Sequence, residues 1–545
     1  MSSHTIGSAI TPPDSVPTTP STTKYTSSPF ESTGTLASAP PPDVPKSYSH
    51  KLLAAPDAIL ARLSTLSFPP AIAAARMAIV SMMSHSITWG QIRILTADQG
   101  IYTFPSAQKL EELGLDSVPQ DQVADIRVIN DTFWFRLVVL ADIGFAEAYM
   151  AGDCEVSDLV QIFKIFIRSR PKLQSDPIPG VSTLPAKLFS VVTYITNSRF
   201  ANTISNSLSN IRAHYDLSNG MFAAFLSRDM TYSCGIFTDL DGDLKDGRQL
   251  GAVNGAIGLK KIGGIKENKE AKVDGEIKDE LEAAQLRKIH HIIKKADIRA
   301  GHRVLEIGSG WGSFAIEAVR TTGCTVDTLT LSSQQKALAE DRIKAAGLAG
   351  RIRVWLMDYR NLPESWKGSF DRVVSIEMLE AVGKEFIPGY FGVIESALNE
   401  NGAACIQVIT IPESRFESYQ KEVDFIRKWI FPGGFLPTIS YVVDSIRVGS
   451  KNALVVDSVS NIGPHYARTL REWRRRFLAN FDNLIAPALR AEHSEMTDAD
   501  IEVFKRKWIY YFCYCEVGFT ERVLGDHIVT MVREGASDYG CATYE

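Results

Sequence analysis

The chain has 545 residues, and its 58 Lys+Arg against 63 Asp+Glu give a formal net charge of −5 with histidine neutral. Hydrophobic residues make up 45% and charged residues 22%, as in an ordinary globular protein of two or three domains. The near-neutral charge argues against nucleic acid as the main partner.

Cysteine usage and hydropathy indicate the compartment. Seven cysteines are scattered without a CxxC pair, which argues against a disulfide framework and a zinc site and favours a reducing compartment. The N-terminus shows no basic-then-apolar leader. The most apolar window, residues 71–83, contains Arg76 and is shorter than the roughly 20 residues that a spanning helix needs. We therefore expect a cytoplasmic protein without a membrane span and without a metal.

Composition divides the chain into three parts. Residues 1–50 hold 29 Ser, Thr or Pro, which predicts a disordered tail because little apolar surface is available for burial. Residues 51–175 are predicted to form a small N-terminal helical and α+β domain. Within it we predict a helix over 51–84 with a break at Pro69-Pro70, strands at 91–95 and 124–128, and a helix at 159–168. Residues 176–545 are predicted to form the larger domain, with a charged, glycine-rich surface insertion at 241–280.

From residue 303 to about 408, strand and helix patterns alternate, which predicts a parallel sheet with helices on both faces. The segment Val304-Leu305-Glu306-Ile307-Gly308-Ser309-Gly310-Trp311-Gly312 is typical of a buried strand followed by a glycine turn and a helix that begins near Ser313. Glycines allow the backbone to approach a ligand closely. The spacing is GxGxG rather than the dinucleotide pattern GxGxxG, and it suits a compact nucleoside that carries an amino acid, such as S-adenosylmethionine (SAM).

Polar residues follow each predicted strand of this sheet. Strands at 325–331, 353–357 and 370–376 end near Ser332 and Gln335, at Asp358, and near Glu377 and Glu380, respectively. Because ligands of open α/β sheets bind at the carboxyl ends of the strands, we expect these side chains to surround one site.

Eight ordered blocks between about 211 and 533 resemble the cyclopropane-fatty-acyl-phospholipid synthase family, which includes the mycolic acid cyclopropane synthases. The blocks are HYDLSNGMFAAFLSRDMTYSCGIF (214–237), EAAQLRKIHHIIKKA (282–296), VLEIGSGWGSFA (304–315), LTLSSQQKALAEDRI (329–343), SIEMLEAVG (375–383), VDFIRKWIFPGGFLPT (423–438), HYARTLREWRRRF (465–477) and WIYYFCYCEVGF (508–519). The stretch 144–160 resembles the N-terminal domain of the longer synthases. The resemblance implies a class I SAM-dependent methyltransferase with a Rossmann-like α/β sheet and a helical lid, beside the small N-terminal α+β domain.

The resemblance also implies a reaction. The cis double bond of an unsaturated phospholipid acyl chain attacks the SAM methyl group, and loss of a proton from the resulting cation closes a cyclopropane ring. In the family, a bound bicarbonate is thought to take that proton. The residues that match its binding set are Cys234, Glu380, Tyr466, Gln407 and Ile409. Gln407 stands where several relatives have a histidine, and it can donate a hydrogen bond but cannot take a charge near neutral pH.

The residues that match SAM contacts of the family are Tyr232, Ser233, Glu306, Gly308, Ser309, Gly310, Trp311, Gly312, Thr330, Leu331, Ser332, Gln335, Asp358 and Tyr359. The usual ribose-binding acid at the end of the second strand is missing, since Asp327 lies three residues earlier. The resemblance implies that the LTLSSQQ stretch replaces it, with Gln335 as a polar contact.

Two further groups of residues have competing interpretations. Trp429, Phe431 and Phe435 flank the IFPGG turn, and they either line an acyl tunnel or belong to the hydrophobic core. Arg468, Arg471 and Arg475 share one helical face. Lipid phosphates could bind there, but a solvated charged face is the simpler expectation.

The sequence therefore predicts a cyclopropane synthase that uses SAM and bicarbonate and contacts the phospholipid membrane surface peripherally. Two other enzymes stay open: a C-methyltransferase that forms no ring, and a small-molecule N-methyltransferase. A non-catalytic lipid- or SAM-binding protein is a fourth alternative. A homodimer is open as well, since relatives can dimerise.

Overall fold

The computed structural model describes residues 69–170, 219–245 and 279–540. The predicted tail at 1–50 and most of the predicted insertion lie outside these ranges, as does the first half of the helix predicted over 51–84. The domain boundaries proposed from the sequence stay predictions. No helix in the described part of the chain is long and apolar enough to cross a membrane.

A four-stranded sheet forms the N-terminal part. Its strands are β1 (Gln91–Leu95), β2 (Ile101–Phe104), β3 (Val123–Val128) and β4 (Cys154–Val156), in the order β2-β1-β3-β4. Ile92 and Ile94 are fully buried because alternate residues of a strand point to the same face. The strands predicted at 91–95 and 124–128 are confirmed.

Four helices accompany this sheet: α1 (Pro69–Ser86), α2 (Ala107–Glu112), α3 (Thr132–Ala151) and α4 (Leu159–Arg168). Asp158 caps α4 by accepting from the backbone N–H of Gln161, and α4 has the predicted bounds. Helix α3 is interrupted at Ala141, whose φ is 48°, and it ends at Gly152 in the left-handed conformation that glycine adopts readily.

The larger sheet has seven strands in the order β10-β11-β9-β8-β5-β6-β7. Their bounds are β5 Arg303–Ile307, β6 Thr325–Thr330, β7 Ile352–Leu356, β8 Phe370–Ile376, β9 Leu398–Thr410, β10 Leu454–Asn461 and β11 Gly525–Arg533. Strand β11 is antiparallel to both its neighbours, while β5 to β9 pair in parallel. The four strands predicted between 303 and 376 are confirmed within one residue at each end, and the α/β fold class with a Rossmann-like sheet is confirmed.

Eleven helices are described around this sheet. Their bounds are α5 Asn219–Phe225, α6 Gly242–Lys245, α7 Glu280–Lys295, α8 Ser313–Thr322, α9 Ser333–Ala345, α10 Ile387–Ala397, α11 Glu413–Lys421, α12 Ile439–Gly449, α13 Gly463–Asn480, α14 Ala486–Glu492 and α15 Asp498–Thr520. Two π-helical turns, Ile426–Ile430 and Phe481–Ile485, lie beside α15 and α13.

The core lies on both faces of the seven-stranded sheet. Val304 of β5 packs into one hydrophobic cluster, whereas Leu305 and Ile307 pack into the other. This alternation explains why the strand is apolar at almost every position. Glu306 is on the Val304 face, where the polar site described below forms.

The arginines of α13 correct the expectation of a solvated face. Arg471 is 7% exposed and forms a bidentate pair with Asp243, at 2.6 and 2.9 Å. Arg468 is also buried and pairs with Glu280, and Arg475 alone of the three predicted residues is substantially exposed, at 43% of its side chain. The acids come from residues 239–245 and 279–280, which the sequence places more than 180 residues from the arginines.

Candidate active site

The glycine turn after β5 has the conformation that its sequence predicts. Gly308, Gly310 and Gly312 have φ of +101°, +47° and +84°, values that side chains larger than hydrogen rarely adopt. Gly312 lies directly before α8, which begins at Ser313 as predicted. Nothing lies within 4 Å of a Cβ built at Gly310, so the turn leaves open space at this position.

A cavity of about 180 Å³ lies at the carboxyl ends of the parallel strands. The predicted SAM residues that line it are Tyr232, Ser233, Glu306, Gly308, Ser309, Gly310, Trp311, Thr330, Leu331, Gln335 and Tyr359. Glu377, which the sequence placed at this edge of the sheet without a specific role, lines the cavity too, as does Lys288, which sequence reasoning did not single out. The cavity therefore brings together most of the residues predicted to bind SAM.

Three predicted SAM residues do not line the cavity. Gly312 forms the turn, and Ser332 caps α9 by accepting from the backbone N–H of Gln335. The carboxylate of Asp358 is paired with Arg360 at 2.6 Å, and this pairing lowers the pKa of Asp358 against the effect of its burial. These residues support the walls of the cavity rather than facing it.

The structure shows the surroundings of Asp327 and of Gln335, the residue predicted to contact the ligand in place of the missing ribose-binding acid. Asp327 is buried against Arg303 and the Trp355 indole, at 2.9 Å from each, so it is engaged on another part of the sheet. The Thr330 hydroxyl donates to Oε1 of Gln335 at 2.9 Å. Gln335 is 7% exposed and faces the cavity, which places an amide where the acid would stand.

Glu306 is the strongest local indication of a bound ligand. Its side chain is 3% exposed, and Oε2 has no hydrogen-bond partner among the described residues. Burial raises the pKa of Glu306 to about 8, opposed only by Thr328 and Lys288. Because buried polar atoms in native proteins are nearly always satisfied, this carboxyl suits a cationic or hydrogen-donating group in the cavity. The ammonium group of SAM has that chemistry, and the residues present fit it.

Helix α7 holds the turn that contains Tyr232 and Ser233. Gln285 Nε2 donates to the Ser233 carbonyl at 2.7 Å, and Lys288 Nζ donates to the Ser233 hydroxyl at 2.6 Å. Both side chains are fully buried, and burial lowers the pKa of Lys288. The sequence carries a signal for them, since both lie on the apolar face of α7 with Leu281 and Ile292, where a lysine is unexpected.

Glu377 is the centre of the second part of the site. Its Oε1 accepts from the backbone N–H of Cys234 and from Gln407 Nε2, both at 2.8 Å. Its Oε2 accepts from the Tyr466 hydroxyl at 2.5 Å. Glu377 also lines the cofactor cavity, so it joins three of the predicted catalytic residues to the predicted SAM residues.

Glu380 and Ile409 form a separate contact. Oε1 of Glu380 accepts from the backbone N–H of Ile409 at 2.5 Å, and Oε2 is buried without a partner among the described residues. Burial, followed by the charge of Glu377, raises the pKa of Glu380 to about 8. Four of the five predicted catalytic residues thus donate to two carboxyl groups. One of these is Glu380, the fifth predicted residue, and the other is Glu377, which sequence reasoning named only as a residue after a strand.

A third carboxyl group, Asp526 of β11, completes the cluster. It is fully buried, and its Oδ2 accepts from the same Gln407 Nε2 at 2.8 Å. Burial and the neighbouring Glu377 raise the pKa of Asp526 well above its ordinary value. Nothing local in the sequence marks Asp526, because the register of β11 on β9 alone brings it to Gln407.

The predicted bicarbonate does not fit this arrangement. Three of the residues predicted to bind it, Cys234 through its backbone N–H, Gln407 and Tyr466, already donate to Glu377. The backbone N–H of the fourth, Ile409, donates to Glu380. The Cys234 thiol is directed to the carbonyl oxygens of Gly235 and Ile462, and burial raises its pKa, so it is a neutral donor. We therefore derive no step through bicarbonate.

The aromatic residues predicted around the IFPGG turn all pack against the hydrophobic core, Trp429 and Phe431 against one cluster and Phe435 within the other. Phe435 is 7% exposed and packs with Phe416, Tyr419 and Tyr441 in the hydrophobic core. Phe431 is half-buried, with its ring 6.1 Å from that of Tyr511. The Tyr511 hydroxyl lies 3.1 Å from that of Tyr232, so Phe431 is near the cavity wall, whereas Phe435 is a core residue.

The seven-stranded sheet with one antiparallel strand, the glycine turn and the cavity at the strand ends define a class I SAM-dependent methyltransferase. The sequence model of the family described as mycolic acid cyclopropane synthetase matches residues 202–260 and 273–528. The chain belongs to this family.

Curated relatives and solved structures are similar to this chain. The chain is 34% identical over 393 residues to tuberculostearic acid methyltransferase UfaA1 of Mycobacterium tuberculosis, a match that covers 72% of this chain and 79% of that protein. It is 28% identical to the cyclopropane-fatty-acyl-phospholipid synthase of Escherichia coli K12, and that match covers 73% of this chain and 85% of that protein. The structure of mycolic acid cyclopropane synthase CmaA1 with SAH and CTAB matches at 26% identity and a TM-score of 0.46, over 60% of this chain and 98% of that one.

Proposed function

We propose that this enzyme transfers the methyl carbon of SAM to the cis double bond of an unsaturated phospholipid acyl chain and forms a cyclopropane ring. Membership of the family supports the proposal, as do relatives named cyclopropane-fatty-acyl-phospholipid synthase and tuberculostearic acid methyltransferase.

The observation that carries the proposal is a cofactor cavity with buried carboxyl groups beside it. An alkene is a weak nucleophile, and after it takes up a methyl group the resulting cation must lose a proton from carbon. The site therefore has to position the reactants, exclude water and accept a proton. Glu377 faces the cavity and is held by three donors, an arrangement suited to these tasks.

The chain's own residues have distinct tasks in this proposal. SAM supplies an electrophilic methyl group when it is bound. Glu306 and Gln335 hold its polar groups in the cavity, while Gln285 and Lys288 fix the turn of Tyr232 and Ser233 over it. Phe431, Trp508 and Phe512 pack around Tyr511, whose hydroxyl lies beside that of the cavity residue Tyr232, and this aromatic wall would restrict the entry of water.

C-methylation without ring closure is a second candidate, favoured by the name of the relative that is 34% identical. The two reactions share carbon transfer and proton loss, and they differ in which carbon loses the proton. Loss from the added methyl with ring closure gives a cyclopropane, and loss from a chain carbon gives a methylated alkene. A saturated methyl branch would require a hydride donor, which a separate reductase would have to supply.

A lipid substrate requires contact with a bilayer, so we further propose that the protein meets the membrane surface peripherally. The homodimer stays a prediction.

Purified protein should be incubated with SAM and vesicles of a monounsaturated phospholipid, with vesicles of the saturated phospholipid as the matched control. We expect SAM consumption only with the unsaturated lipid, together with a gain of one carbon in the acyl chain by mass spectrometry. Turnover of small amines without turnover of lipid would instead establish an N-methyltransferase and contradict the proposal.

A further inference from the structure

The carboxylate of Glu377 takes the hydrogen bonds that were predicted to hold a free anion. Two of its donors, the Cys234 N–H and Gln407 Nε2, converge on Oε1 at 2.8 Å, and the Tyr466 hydroxyl binds Oε2 at 2.5 Å. These donors come from the 232–234 turn, from β9 and from α13. Three separate elements are thus arranged around one side-chain carboxylate.

The backbone of Glu377 is strained in the conformation that places its side chain among these donors. Its φ is +48°, a left-handed conformation that non-glycine residues adopt at an energetic cost and that persists where the surrounding structure holds it. The Glu377 N–H donates to the Gln407 carbonyl at 2.8 Å, which holds the strained residue against β9. A glycine would have no strain here, yet the chain has a residue with an acidic side chain.

We infer that Glu377 is the proton acceptor of the reaction, a carboxylate of the chain itself that replaces the predicted bicarbonate. The inference rests on the proposed function. The alkene carbon forms a bond to the SAM methyl carbon as the sulfur–carbon bond breaks. Glu377 then takes a proton from the added methyl, and the electron pair of that C–H bond closes the ring. The products are S-adenosylhomocysteine, the cyclopropane and a neutral Glu377, and no redox partner is needed.

The surroundings of Glu377 act on its pKa in opposite directions, and burial has the largest effect. Hydrogen bonds to a carboxylate stabilise its charged form, and the buried Lys288 adds a positive charge nearby. Burial raises the pKa of Glu377, which makes its carboxylate a stronger base. Asp526 is the more deeply buried partner, and among the described residues its carboxyl accepts one hydrogen bond where that of Glu377 accepts three. We therefore assign the proton of this pair to Asp526 and the charge to Glu377.

Glu380 does not compete for this role. Its carboxyl accepts from the Ile409 N–H, and a pKa of about 8 keeps it mostly protonated near neutral pH. A protonated carboxyl can donate a hydrogen bond but cannot take up a second proton in this reaction. Glu380 is therefore a positioning residue beside Glu377.

Binding of ¹³C-labelled bicarbonate, followed by NMR, tests the replacement without any lipid. In the Glu377→Gly variant the Cys234 N–H and the Tyr466 hydroxyl lose their acceptor, Gln407 keeps only Asp526, and the backbone strain is relieved, so the variant should fold and bind bicarbonate. The wild-type enzyme should not bind it. Bicarbonate binding by both proteins, or by neither, would overturn the replacement.

Turnover of the unsaturated lipid tests the chemical role. In carbonate-free buffer the wild type should keep full activity, while Glu377→Gln should lose roughly 100-fold or more in kcat with SAM affinity little changed. Added bicarbonate should partly restore Glu377→Gly but not Glu377→Gln. Glu385→Gln, which removes an exposed carboxylate from the same segment, is the matched control and should behave as wild type.

The outcomes separate the inference from the proposed function. If the wild type binds SAM but converts no lipid, the proposed function fails, and the NMR result alone decides whether Glu377 fills the anion site. If the wild type converts lipid and either requires added bicarbonate or tolerates Glu377→Gln, the inference about Glu377 fails while the function stands.

Discussion

Tyr466 donates its hydroxyl to Oε2 of Glu377 at 2.5 Å, across 89 residues of sequence. The Tyr466 ring stacks on Phe519, with centroids 4.4 Å apart, and it is 5% exposed. Helices α13 and α15 therefore fix the position of the hydroxyl, and the hydroxyl fixes one oxygen of the carboxylate that faces the cofactor cavity.

Tyr466→Phe should lower kcat about 10- to 100-fold, since a hydrogen bond to a charged group contributes about 1.5–3 kcal/mol. The Tyr466 hydrogen bond lowers the pKa of Glu377, so its removal should raise that pKa. The acidic limb of the pH–turnover profile should then shift to higher pH, while SAM affinity stays within a few-fold. Tyr514→Phe, in the aromatic cluster with Phe163 and Phe425, is the control. An unshifted limb in Tyr466→Phe would show that the hydroxyl does not act through Glu377.

Lys288→Met should weaken SAM binding by about tenfold, which corresponds to about 1.4 kcal/mol. The variant loses the 2.6 Å hydrogen bond to the Ser233 hydroxyl, so the turn over the cavity is held less firmly. Methionine has a similar volume and avoids a buried charge, so the fold should be retained. Isothermal titration calorimetry measures the affinity, and Lys344→Met on the exposed side of α9 serves as the control. Equal affinities in the two variants would exclude a role for Lys288 in the cofactor site.

Because Glu306 titrates in this range, the free energy of unfolding of the ligand-free protein should fall as pH rises from about 5 to about 8. The carboxyl titrates near 4.5 in the unfolded chain and at about 8 when folded. Between these values the folded state binds more protons, so the free energy of unfolding falls with pH. Glu306→Gln should reduce that slope by up to about 1.4 kcal/mol per pH unit. Denaturant titrations over this pH range measure the slope. The same slope in wild type and variant would show that burial does not raise the pKa of Glu306.

Arg471→Ala should destabilise the protein by about 3–5 kcal/mol, because it leaves Asp243 buried without its bidentate partner. Arg475→Ala on the same helix should cost less than about 1 kcal/mol, since its pair with Glu472 is solvent-exposed on the arginine side. Thermal unfolding of the two variants provides the comparison. Equal losses would show that the pair with Asp243 contributes no more than an exposed one.

The sequence predicts those features that local pattern determines. Strands such as Phe370–Ile376 have the bounds expected from their apolar runs, and the glycine turn at Gly308 was placed from its spacing alone. The contact between Arg471 and Asp243 could not be predicted in this way, because it joins residues that lie 228 positions apart in the sequence.

The position of the Glu377 side chain likewise could not be predicted from the local sequence. Glu377 and Glu380 both follow β8, three residues apart, and nothing in that spacing reveals which carboxylate faces the cavity. The answer depends on the φ of +48° at Glu377 and on the register of β9, which pairs Gln407 with Ile376, the residue before Glu377. Lys288 was accessible to sequence reasoning, because a lysine on the apolar face of an amphipathic helix is a recognisable anomaly.

The most direct test of carbon transfer to a lipid double bond uses SAM with a fully deuterated methyl group and vesicles of a monounsaturated phospholipid. The account predicts an acyl product that keeps two deuterium atoms on the new carbon and has lost its olefinic protons in the NMR spectrum. Retention of all three deuterium atoms with an olefinic signal would establish methylation without ring closure. An absence of deuterium in the acyl chain, despite consumption of SAM, would contradict the account.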